Sequence, residues 1–288
     1  MNRFLASLLV ALLSFSAAAM SPDHEAFVER MVENEGFERD RVVAWLEAAR
    51  HDQTVIERIS APAEKVLSWG EYREIFLTPE RVAKGKAFMA RHRETLARAE
   101  TRYGVPAELV TAILGIETFY GRHAGNDRVL DTLVTLAFDY PPRADFFRDE
   151  LRHFLLLTRE QGWDPRKLKG SYAGAMGYGQ FIASSYRHYA VDFNDDGAVD
   201  LFDEPVDAIG SVAHYFREHG WHQGAPVVMP LSQWHGPVGA ARLLRLRVDD
   251  TDRHWIAHGN FDVITRYNHS DLYAMAAWSL ALRLRGEQ

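Results

Sequence analysis

Helix start and stop signals recur along the chain and predict a mainly helical fold. Thr78 is followed by Pro79 and Glu80, which is the order of an N-cap, a first-position proline and an acid in the first turn. This helix is predicted to run to Tyr103, with Gly104 as its stop. Apolar periodicity predicts further helices over residues 23–34, 38–49, 105–121, 143–160, 205–219 and, after a cap at 270 or 271, up to 284.

One stretch breaks the helical pattern. Residues 223–264 carry repeated prolines and glycines, with short apolar runs at 227–229 and 243–248. Short apolar runs bounded by turn-forming residues are typical of strands. We therefore expect a mainly α chain with a small β-rich insertion.

Composition excludes several classes of protein. Acidic residues outnumber basic ones 40 to 33, so the chain lacks the basic surface of a nucleic-acid-binding protein, and no nucleic-acid partner is expected. The absence of cysteine excludes a disulfide scaffold, a thiol nucleophile, a cysteine zinc site and a lipid-modified N-terminal cysteine. The sequence also lacks the metalloprotease pattern His-Glu-x-x-His and the serine-hydrolase pattern Gly-x-Ser-x-Gly.

Residues 1–19 differ from the rest of the chain. A positive start ending at Arg3 precedes an apolar run from Phe4 to Phe15 and small residues at 16–19. This order is typical of a secretory signal peptide. A buried first helix or a membrane anchor is the alternative, but the run is shorter than the roughly 20 apolar residues that a bilayer span needs. We expect export, with no transmembrane segment in the mature protein.

An acidic loop at residues 192–203 has the spacing of a calcium site. Its side-chain oxygens fall at positions one, three and five, its glycine at six and its carbonyl ligand at seven. These residues are Asp192, Asn194, Asp196, Gly197 and Ala198. Position twelve departs from the pattern, because Asp203 stands where glutamate is usual; a slightly longer loop would favour Asp207 as the closing ligand. We expect one structural calcium ion, and the alternative is an acidic, solvated turn without metal.

One glutamate interrupts the most apolar of the predicted helices. Glu117 lies in the last turn, between Ile116 and Phe119. Apolar surroundings and the negative end of the helix dipole both favour the protonated carboxylic acid. A glutamate that keeps its proton near neutral pH suits general acid catalysis. The alternative is a structural ion pair with Arg122 or Arg143.

A glycine-rich loop at residues 170–181 fails the tests for a phosphate loop. It lacks the Gly-Lys-Ser/Thr ending, its glycine spacing does not fit the dinucleotide fingerprint, and no predicted strand precedes it. Glycines do allow the backbone to approach a ligand closely. Ser171, Tyr172 and Gln180 would then offer hydrogen bonds and a stacking face to a carbohydrate. The alternative is a tight packing loop between two helices.

Together these segments resemble the lytic murein transglycosylases of the B type, a family that cuts peptidoglycan. Four blocks carry the resemblance: ILGIETFYG at 113–121, GSYAGAMGYGQFIASSY at 170–186, the acidic loop from 192 onward into AIGSVA at 208–213, and RYNHSDLYA at 266–274. A weaker fifth block, AFDYPPRADFF at 137–147, has Pro142 where the family commonly has an arginine, which leaves Arg143 alone there.

The resemblance implies a lysozyme-like helical core with an α-helical N-terminal extension. On this basis we divide the chain into a signal peptide, an α-helical extension, a catalytic core with its calcium loop at 192–207, a β-rich insertion and a C-terminal helix that returns to the core. The boundaries are 1–19, 20–103, 104–222, 223–264 and 265–288.

The resemblance also implies functional residues. Glu117 matches the single catalytic acid and base. The matching glycan-cleft positions are Arg143, Ser171, Tyr172, Gln180, Tyr267, Asn268 and Tyr273. The matching calcium ligands are Asp192, Asn194, Asp196, Asp207 and the carbonyl of Ala198.

The expected reaction is non-hydrolytic cleavage of the bond between N-acetylmuramic acid and N-acetylglucosamine, which leaves 1,6-anhydromuramic ends. Two alternatives stay open: a hydrolytic muramidase, and a calcium-stabilised glycan-binding protein that does not cut. The expected partner is the glycan strand of peptidoglycan. The protein is expected to be a periplasmic monomer without a lipid anchor.

Overall fold

Helices make up most of the fold, as predicted. The computed structural model describes residues 20–61, 67–237 and 242–287, so the predicted signal peptide at 1–19 lies outside the described residues. The helices are α1 Pro22–Glu33, α2 Arg39–Ala48, α3 Gln53–Ser60, α4 Trp69–Phe76, α5 Pro79–Arg91, α6 Arg93–Tyr103, α7 Ala107–Thr118, α8 Val129–Asp139, α9 Ala144–Glu160, α10 Ala183–Tyr189, α11 Pro205–Glu218, α12 Gly259–Tyr267 and α13 Asp271–Arg285. Within these ranges, no helix combines the length and the apolar character needed to cross a membrane.

The helix predicted from Thr78 to Tyr103 is two helices. Its start is confirmed, because the Thr78 side chain accepts the backbone N–H of Arg81 at 3.1 Å. The backbone leaves helical geometry at His92, with φ −108° and ψ 27°, and this residue ends α5 and precedes α6. The break lets α5 pack on α7 and α13 while α6 packs on α11. Because neither glycine nor proline marks the break, the sequence prediction of a single helix was wrong.

Five helices were not predicted. They are α3, α4, α8, α10 and α12. The helix α8 shows why, since eight of its residues 129–137 are buried and only Asp131 among them is half-buried, which leaves little apolar periodicity. A short apolar run without periodicity cannot be assigned to helix or strand from its sequence.

The predicted β-rich stretch forms a three-stranded antiparallel sheet. Its strands are β3 Val228–Pro230, β4 Arg242–Val248 and β5 Thr251–Ala257, in the spatial order β3-β5-β4. The strand β5 was not predicted. The predicted β-rich stretch, residues 223–264, also extends too far at its C-terminal end, because α12 begins at Gly259. A second, two-stranded pairing joins β1 Asp127–Arg128 to β2 Lys169–Gly170.

The helix α7 lies at the centre of the helical layer and packs on α5, α6, α11 and α13. Its residues 109–116 are all buried. Full enclosure explains the near-continuous apolar sequence of this helix. The buried helix also fixes the position of Glu117, the residue that follows this buried run.

A buried histidine in α9 lies between two arginines. Nε2 of His153 is 2.9 Å from Nη2 of Arg152, and its Nδ1 is 2.6 Å from Nη1 of Arg187. Burial first, and then the charge of Arg152, lower the pKa of His153 to about 4. The imidazole is therefore neutral in the folded protein at neutral pH.

This histidine is expected to make the fold acid-sensitive. Between its ordinary pKa of 6.5 and its folded value of about 4, the unfolded chain binds a proton that the folded chain does not. The contribution to stability is intact above the higher value and is lost as the pH falls towards the lower one. Urea unfolding at about pH 7 and about pH 4.5 should show a loss about 2 kcal/mol larger in the wild type than in His153→Gln. Equal losses in the two proteins would contradict this assignment.

Candidate active site

Glu117 lies where the buried helix α7 ends. The two residues after Thr118 both adopt left-handed backbone, with φ 53° at Phe119 and 62° at Tyr120. Such conformations are uncommon for residues other than glycine, and local strain of this kind collects at functional sites. A Cβ at Gly115 would lie 2.7 Å from the Tyr120 ring, so the turn also requires glycine there.

A tyrosine of α13 holds the Glu117 carboxylate. Oη of Tyr273 donates a hydrogen bond to Oε1 of Glu117 at 2.5 Å. Tyr273 is 2% exposed, and burial first, then the charge of Glu117, raise the pKa of Tyr273 well above its ordinary value. Its hydroxyl therefore keeps its proton and serves as a donor, which stabilises the charged form of the carboxylate.

A second tyrosine ties this pair to the glycine-rich loop. The ring of Tyr267 lies parallel to that of Tyr273, with 6.5 Å between centroids and 4° between planes. Its Oη donates to the carbonyl of Gly179 at 2.5 Å. Burial, followed by the charge of Glu117, raises the pKa of Tyr267 well above the usual value. The segment 266–274 and the loop 170–181 therefore meet at Glu117.

A cavity of about 860 Å³ opens beside this tyrosine pair. Five of the seven predicted cleft residues line it: Arg143, Tyr172, Gln180, Tyr267 and Asn268. Aromatic side chains complete much of the wall, and of these Phe146 is 38% exposed. The described residues that line this cavity do not include Glu117, whose carboxylate is bound by Tyr273, the ring neighbour of the cavity residue Tyr267.

The other two predicted cleft residues have different surroundings. Tyr273 contacts Glu117 from a buried position. The hydroxyl oxygen of Ser171 accepts the backbone N–H groups of Ala173 and Ala175, at 3.2 and 3.1 Å. Ser171 therefore shapes the glycine-rich loop, which is both a packing element and a wall of the cavity.

Gln180 fastens the glycine-rich loop to the segment that follows α7. Its backbone is left-handed, with φ 50°. Its Nε2 donates to the carbonyl of Ala124 at 3.1 Å and to that of Gly177 at 3.0 Å. The loop that leads away from Glu117 is thereby held against the wall of the first cavity.

The two arginines proposed as structural partners of Glu117 both lie over aromatic rings. The guanidinium of Arg143 is 4.2 Å from the ring centre of Phe146, and that of Arg122 is 5.8 Å from the ring centre of Phe119. Arg143 is the last residue of a one-turn 3₁₀ segment, Pro141–Arg143, and lies at the wall of the first cavity. These positions suit contacts with a ligand.

A second cavity, of about 940 Å³, lies on the other side of the segment held by Gln180. It is lined by residues 121–126, by part of the 161–169 segment and by the end of the acidic loop. Its charged or titratable lining residues are Arg122, His123, Lys167, Lys169, Asp200 and Asp203. This cavity could not be predicted from the sequence, because its walls come from three separate segments.

The acidic loop is closed by its own hydrogen bonds. Both carboxylate oxygens of Asp192 accept backbone N–H groups, from Asp196 at 3.2 Å and from Gly197 at 2.8 Å. Asn194 and Asp196 are joined by an Nδ2–Oδ2 hydrogen bond of 3.0 Å. Asp195 and Gly197 have left-handed backbone, as a sharp turn requires.

Asp207 anchors this loop from the first turn of α11. It is 1% exposed, and it accepts the N–H of Phe193 at 2.7 Å, of Asn194 at 3.3 Å and of Asp200 at 2.9 Å. Burial raises its pKa, against the effect of these donors. In contrast, Asp203 is exposed. Over the described part of the chain, no group of three or more His, Asp or Glu side chains is arranged to hold a metal ion.

Sequence reasoning missed one residue near the site. Tyr72 of α4 is 2% exposed, and its charge contributes to the raised pKa of Tyr273. It belongs to the segment predicted as the helical extension. Its spacing matches an ordinary core position, so no sequence signal distinguished it.

Comparison with known proteins gives a consistent result. Residues 19–238 and 231–282 match the family described as Transglycosylase SLT domain. The chain is 43% identical to membrane-bound lytic murein transglycosylase B of Escherichia coli (strain K12), over 91% of this chain and 82% of that protein. The crystal structure of soluble lytic transglycosylase SltB1 from Pseudomonas aeruginosa has a TM-score of 0.83 and 45% identity, and covers 92% of this chain and 100% of its own. The structure of Escherichia coli lytic transglycosylase Slt35 in complex with calcium has a TM-score of 0.83 and 41% identity, over 92% of this chain and 93% of its own.

Proposed function

The chain belongs to the lytic transglycosylases that carry the SLT domain, which are peptidoglycan-cleaving lyases, and we propose that Glu117 is its single catalytic acid and base. The observation that carries this proposal is the hydrogen bond from Tyr273 to Glu117 at the end of a buried helix. A carboxyl group held in a fixed position by a buried hydroxyl donor is suited to proton transfer at a bound glycan.

Glu117 acts twice in the proposed reaction. As an acid it donates its proton to the glycosidic oxygen, and the bond from that oxygen to C1 of N-acetylmuramic acid breaks. The N-acetyl group of the substrate stabilises the positive charge at C1, as in other substrate-assisted reactions. As a base, Glu117 then takes the proton of the C6 hydroxyl, whose oxygen attacks C1 and closes the 1,6-anhydro ring. Water is not consumed, and ring closure gains from its intramolecular character.

Tyr273 supports the charged state of Glu117. The Tyr273 hydroxyl donates to the carboxylate that exists between the two steps, and burial keeps that hydroxyl protonated. A glycosidase with two carboxylates would need a second acid near the first. Asp271 lines the first cavity, but its carboxylate is bound by Arg242 through hydrogen bonds of 2.8 and 2.9 Å. Because Arg242 binds the Asp271 carboxylate, Asp271 is a poor candidate for a second catalytic acid, and the mechanism with a single glutamate is favoured.

The first cavity is proposed to hold the glycan. Tyr172, Tyr267 and the Arg143–Phe146 pair supply flat faces on which sugar rings can stack. Gln180 and Asn268 supply amide groups for sugar hydroxyls. Ser171 is proposed to act through the shape of the glycine-rich loop.

The reaction is tested by mass spectrometry of the soluble products released from peptidoglycan by the purified mature protein. Anhydromuropeptides are the expected result. Products heavier by one water, with reducing ends, would indicate a hydrolytic muramidase. No release, with glycan binding retained, would indicate the non-catalytic binding protein.

Loss of the Tyr273 hydroxyl is expected to slow catalysis and to change its pH dependence. Tyr273→Phe removes a donor to a charged carboxylate, an interaction that is typically about 1.5–3 kcal/mol, so kcat should fall by about tenfold or more. The alkaline limb of the pH–kcat profile should move to higher pH, because Glu117 must be protonated for the first step and its charged form loses a stabilising partner. The comparison is Tyr267→Phe, whose hydroxyl contacts Gly179 rather than Glu117. A shift of equal size in both variants would contradict the positioning role of Tyr273.

We also propose that the acidic loop binds one structural calcium ion. Slt35, a relative at 41% identity, was solved in complex with calcium. The donor set here fits a hard cation, because the loop joins carboxylate and amide oxygens around a single turn. Asp192, Asn194, Asp196, Asp207 and the carbonyl of Ala198 would hold the ion, with Asp203 as the alternative closing ligand. The ion would neutralise the carboxylates and tie the loop to α11.

The cellular location and the domain division of this chain are proposed on the basis of its family and its substrate. The substrate lies outside the cytoplasm, which supports export through residues 1–19 and action in the periplasm. The relative from Escherichia coli is named as membrane-bound. That the present chain is a monomer without a lipid anchor stays a prediction, as do the boundaries of the core at 104–222 and of its insertion.

A further inference from the structure

The second cavity has a basic wall whose charges are not neutralised by the protein. Arg122, Lys167 and Lys169 line it and are all exposed. Over residues 20–61, 67–237 and 242–287, none of the three side chains forms an ion pair. Asp164, whose carboxylate interacts electrostatically with Lys167, is bound by Arg166 through contacts of 2.9 Å to each of its oxygens.

The acids of this cavity belong to a different segment. Asp200 turns its Oδ1 to the backbone N–H groups of Phe202 and Asp203, at 2.7 and 3.1 Å. Asp203 is exposed at the end of the acidic loop. The lining of the cavity therefore has separate basic and acidic regions rather than charge of a single sign.

The cavity also has a rigid aromatic surface. Trp163 lines it and is held edge-on by Tyr186 and Phe202, at 5.9 and 5.6 Å between ring centres. Amide groups of Asn126 and Gln161 lie on the same lining. A flat ring, amides and cations together suit a peptide that carries carboxylates.

The position of the cavity links it to Glu117. Its lining begins at Gly121, whose N–H is accepted by the Thr118 hydroxyl oxygen at 2.9 Å, one residue beyond Glu117. The same hydroxyl donates to the carbonyl of Tyr178 in the glycine-rich loop at 2.9 Å. Gln180 lines the first cavity and bonds Ala124 of the second. A strand that passes Glu117 from the first cavity would thus reach the second.

We propose that the second cavity binds the peptide stem of the substrate, with stem carboxylates on the wall formed by Arg122, Lys167 and Lys169. This inference rests on the proposed function and adds a determinant of substrate choice. The sugars of the strand are uncharged once the lactyl group is joined to peptide, so the negative charge of the substrate resides in its stems. A cationic wall therefore distinguishes strands that carry stems from bare strands.

The test compares two substrates: glycan strands with their stems, and bare strands, from which an amidase has removed the stems and in which the lactyl carboxylates so exposed have been converted to uncharged methyl amides. The variant is the double change Lys167→Glu with Lys169→Glu. Its kcat/KM on stem-bearing strands should fall about tenfold, because two attractions become repulsions, while kcat/KM on bare strands should change less than about twofold. The matched control is Lys84→Glu with Lys86→Glu on α5, which makes the same change in net charge away from both cavities and should alter neither value.

Two further measurements make the result decisive. Lys167→Arg with Lys169→Arg should keep the preference for stems, and higher ionic strength should reduce that preference in the wild type but not in the Glu variant. If the Glu variant does not fold, Lys167→Gln with Lys169→Gln should show a smaller loss confined to stem-bearing strands. Equal losses on both substrates, or none on either, would overturn the inference while leaving the proposed function standing. A wild type that cleaves neither substrate would overturn the proposed function itself.

Discussion

Glu117→Gln is expected to abolish the release of anhydro products while the protein still binds glycan strands. The amide has nearly the shape of the carboxylic acid and can still accept the Tyr273 hydrogen bond, but it can neither give nor take the proton. General acid–base catalysis typically contributes 10²–10⁴-fold, and Glu117 serves in both steps, so we expect kcat to fall by about 10³-fold or more. Product release from peptidoglycan, followed by mass spectrometry, measures the loss. Cosedimentation with peptidoglycan measures the binding that remains.

The matched control lies on the same helix. Glu108, at the other end of α7, is 3.7 Å from the guanidinium of Arg285 in an ion pair. Glu108→Gln makes the same chemical change one helix length from the site, so it should keep turnover within about twofold of the wild type. Retained turnover in Glu117→Gln would refute the catalytic assignment. Loss in both variants would indicate that the damage is to α7 rather than to proton transfer.

The sequence was sufficient to single out Glu117 but not its partner. A charged residue in a largely apolar helix can be recognised from the sequence alone, because burial of α7 leaves no polar face to account for it. Tyr273 is 156 residues away along the chain, and its contact with Glu117 depends on how α13 packs on α7. The resemblance to a known family placed Tyr273 in the cleft, whereas the structure gives it a specific neighbour. Tyr72 had no such signal, since a buried tyrosine at helical spacing is ordinary core.

Element boundaries failed where tertiary packing overrode local signals. The break at His92 carries no glycine or proline, and beyond their shared contact with α7 it lets α5 pack on α13 and α6 pack on α11. The helix α8 was missed because most of its residues are buried, which leaves little apolar periodicity in its sequence. The capped starts did better, since a cap is a local interaction: Thr78 and Ser270 both accept N–H groups three residues ahead, as their sequence positions predict. The second cavity could not be predicted at all, because its walls meet only in the folded chain.

Removal of the Asp207 side chain is expected to cost about 3–5 kcal/mol of unfolding free energy, even with calcium absent. Three backbone N–H groups, of Phe193, Asn194 and Asp200, donate to this one buried carboxylate. Asp207→Ala leaves all three without their partner, and a buried donor without a partner costs about 1–3 kcal/mol before water reaches it. In a chain of this size that loss corresponds to a melting temperature lower by about 10 °C. Thermal and urea unfolding with a chelator present measure it.

The effect of calcium on the melting temperature of two variants then distinguishes Asp207 from Asp203 as the closing ligand. Added calcium should raise the melting temperature of the wild type, since an ion bound only by the folded state stabilises it. Asp203 is exposed, so Asp203→Ala should cost less than about 0.5 kcal/mol in the chelator and should keep the calcium-dependent rise if Asp207 closes the site. Should Asp203→Ala lose that rise while Asp207→Ala keeps it, Asp203 is the closing ligand instead. A wild type whose melting curve does not respond to calcium, and which contains none after purification, would leave Asp207 as a structural anchor of the loop and rule out the metal site.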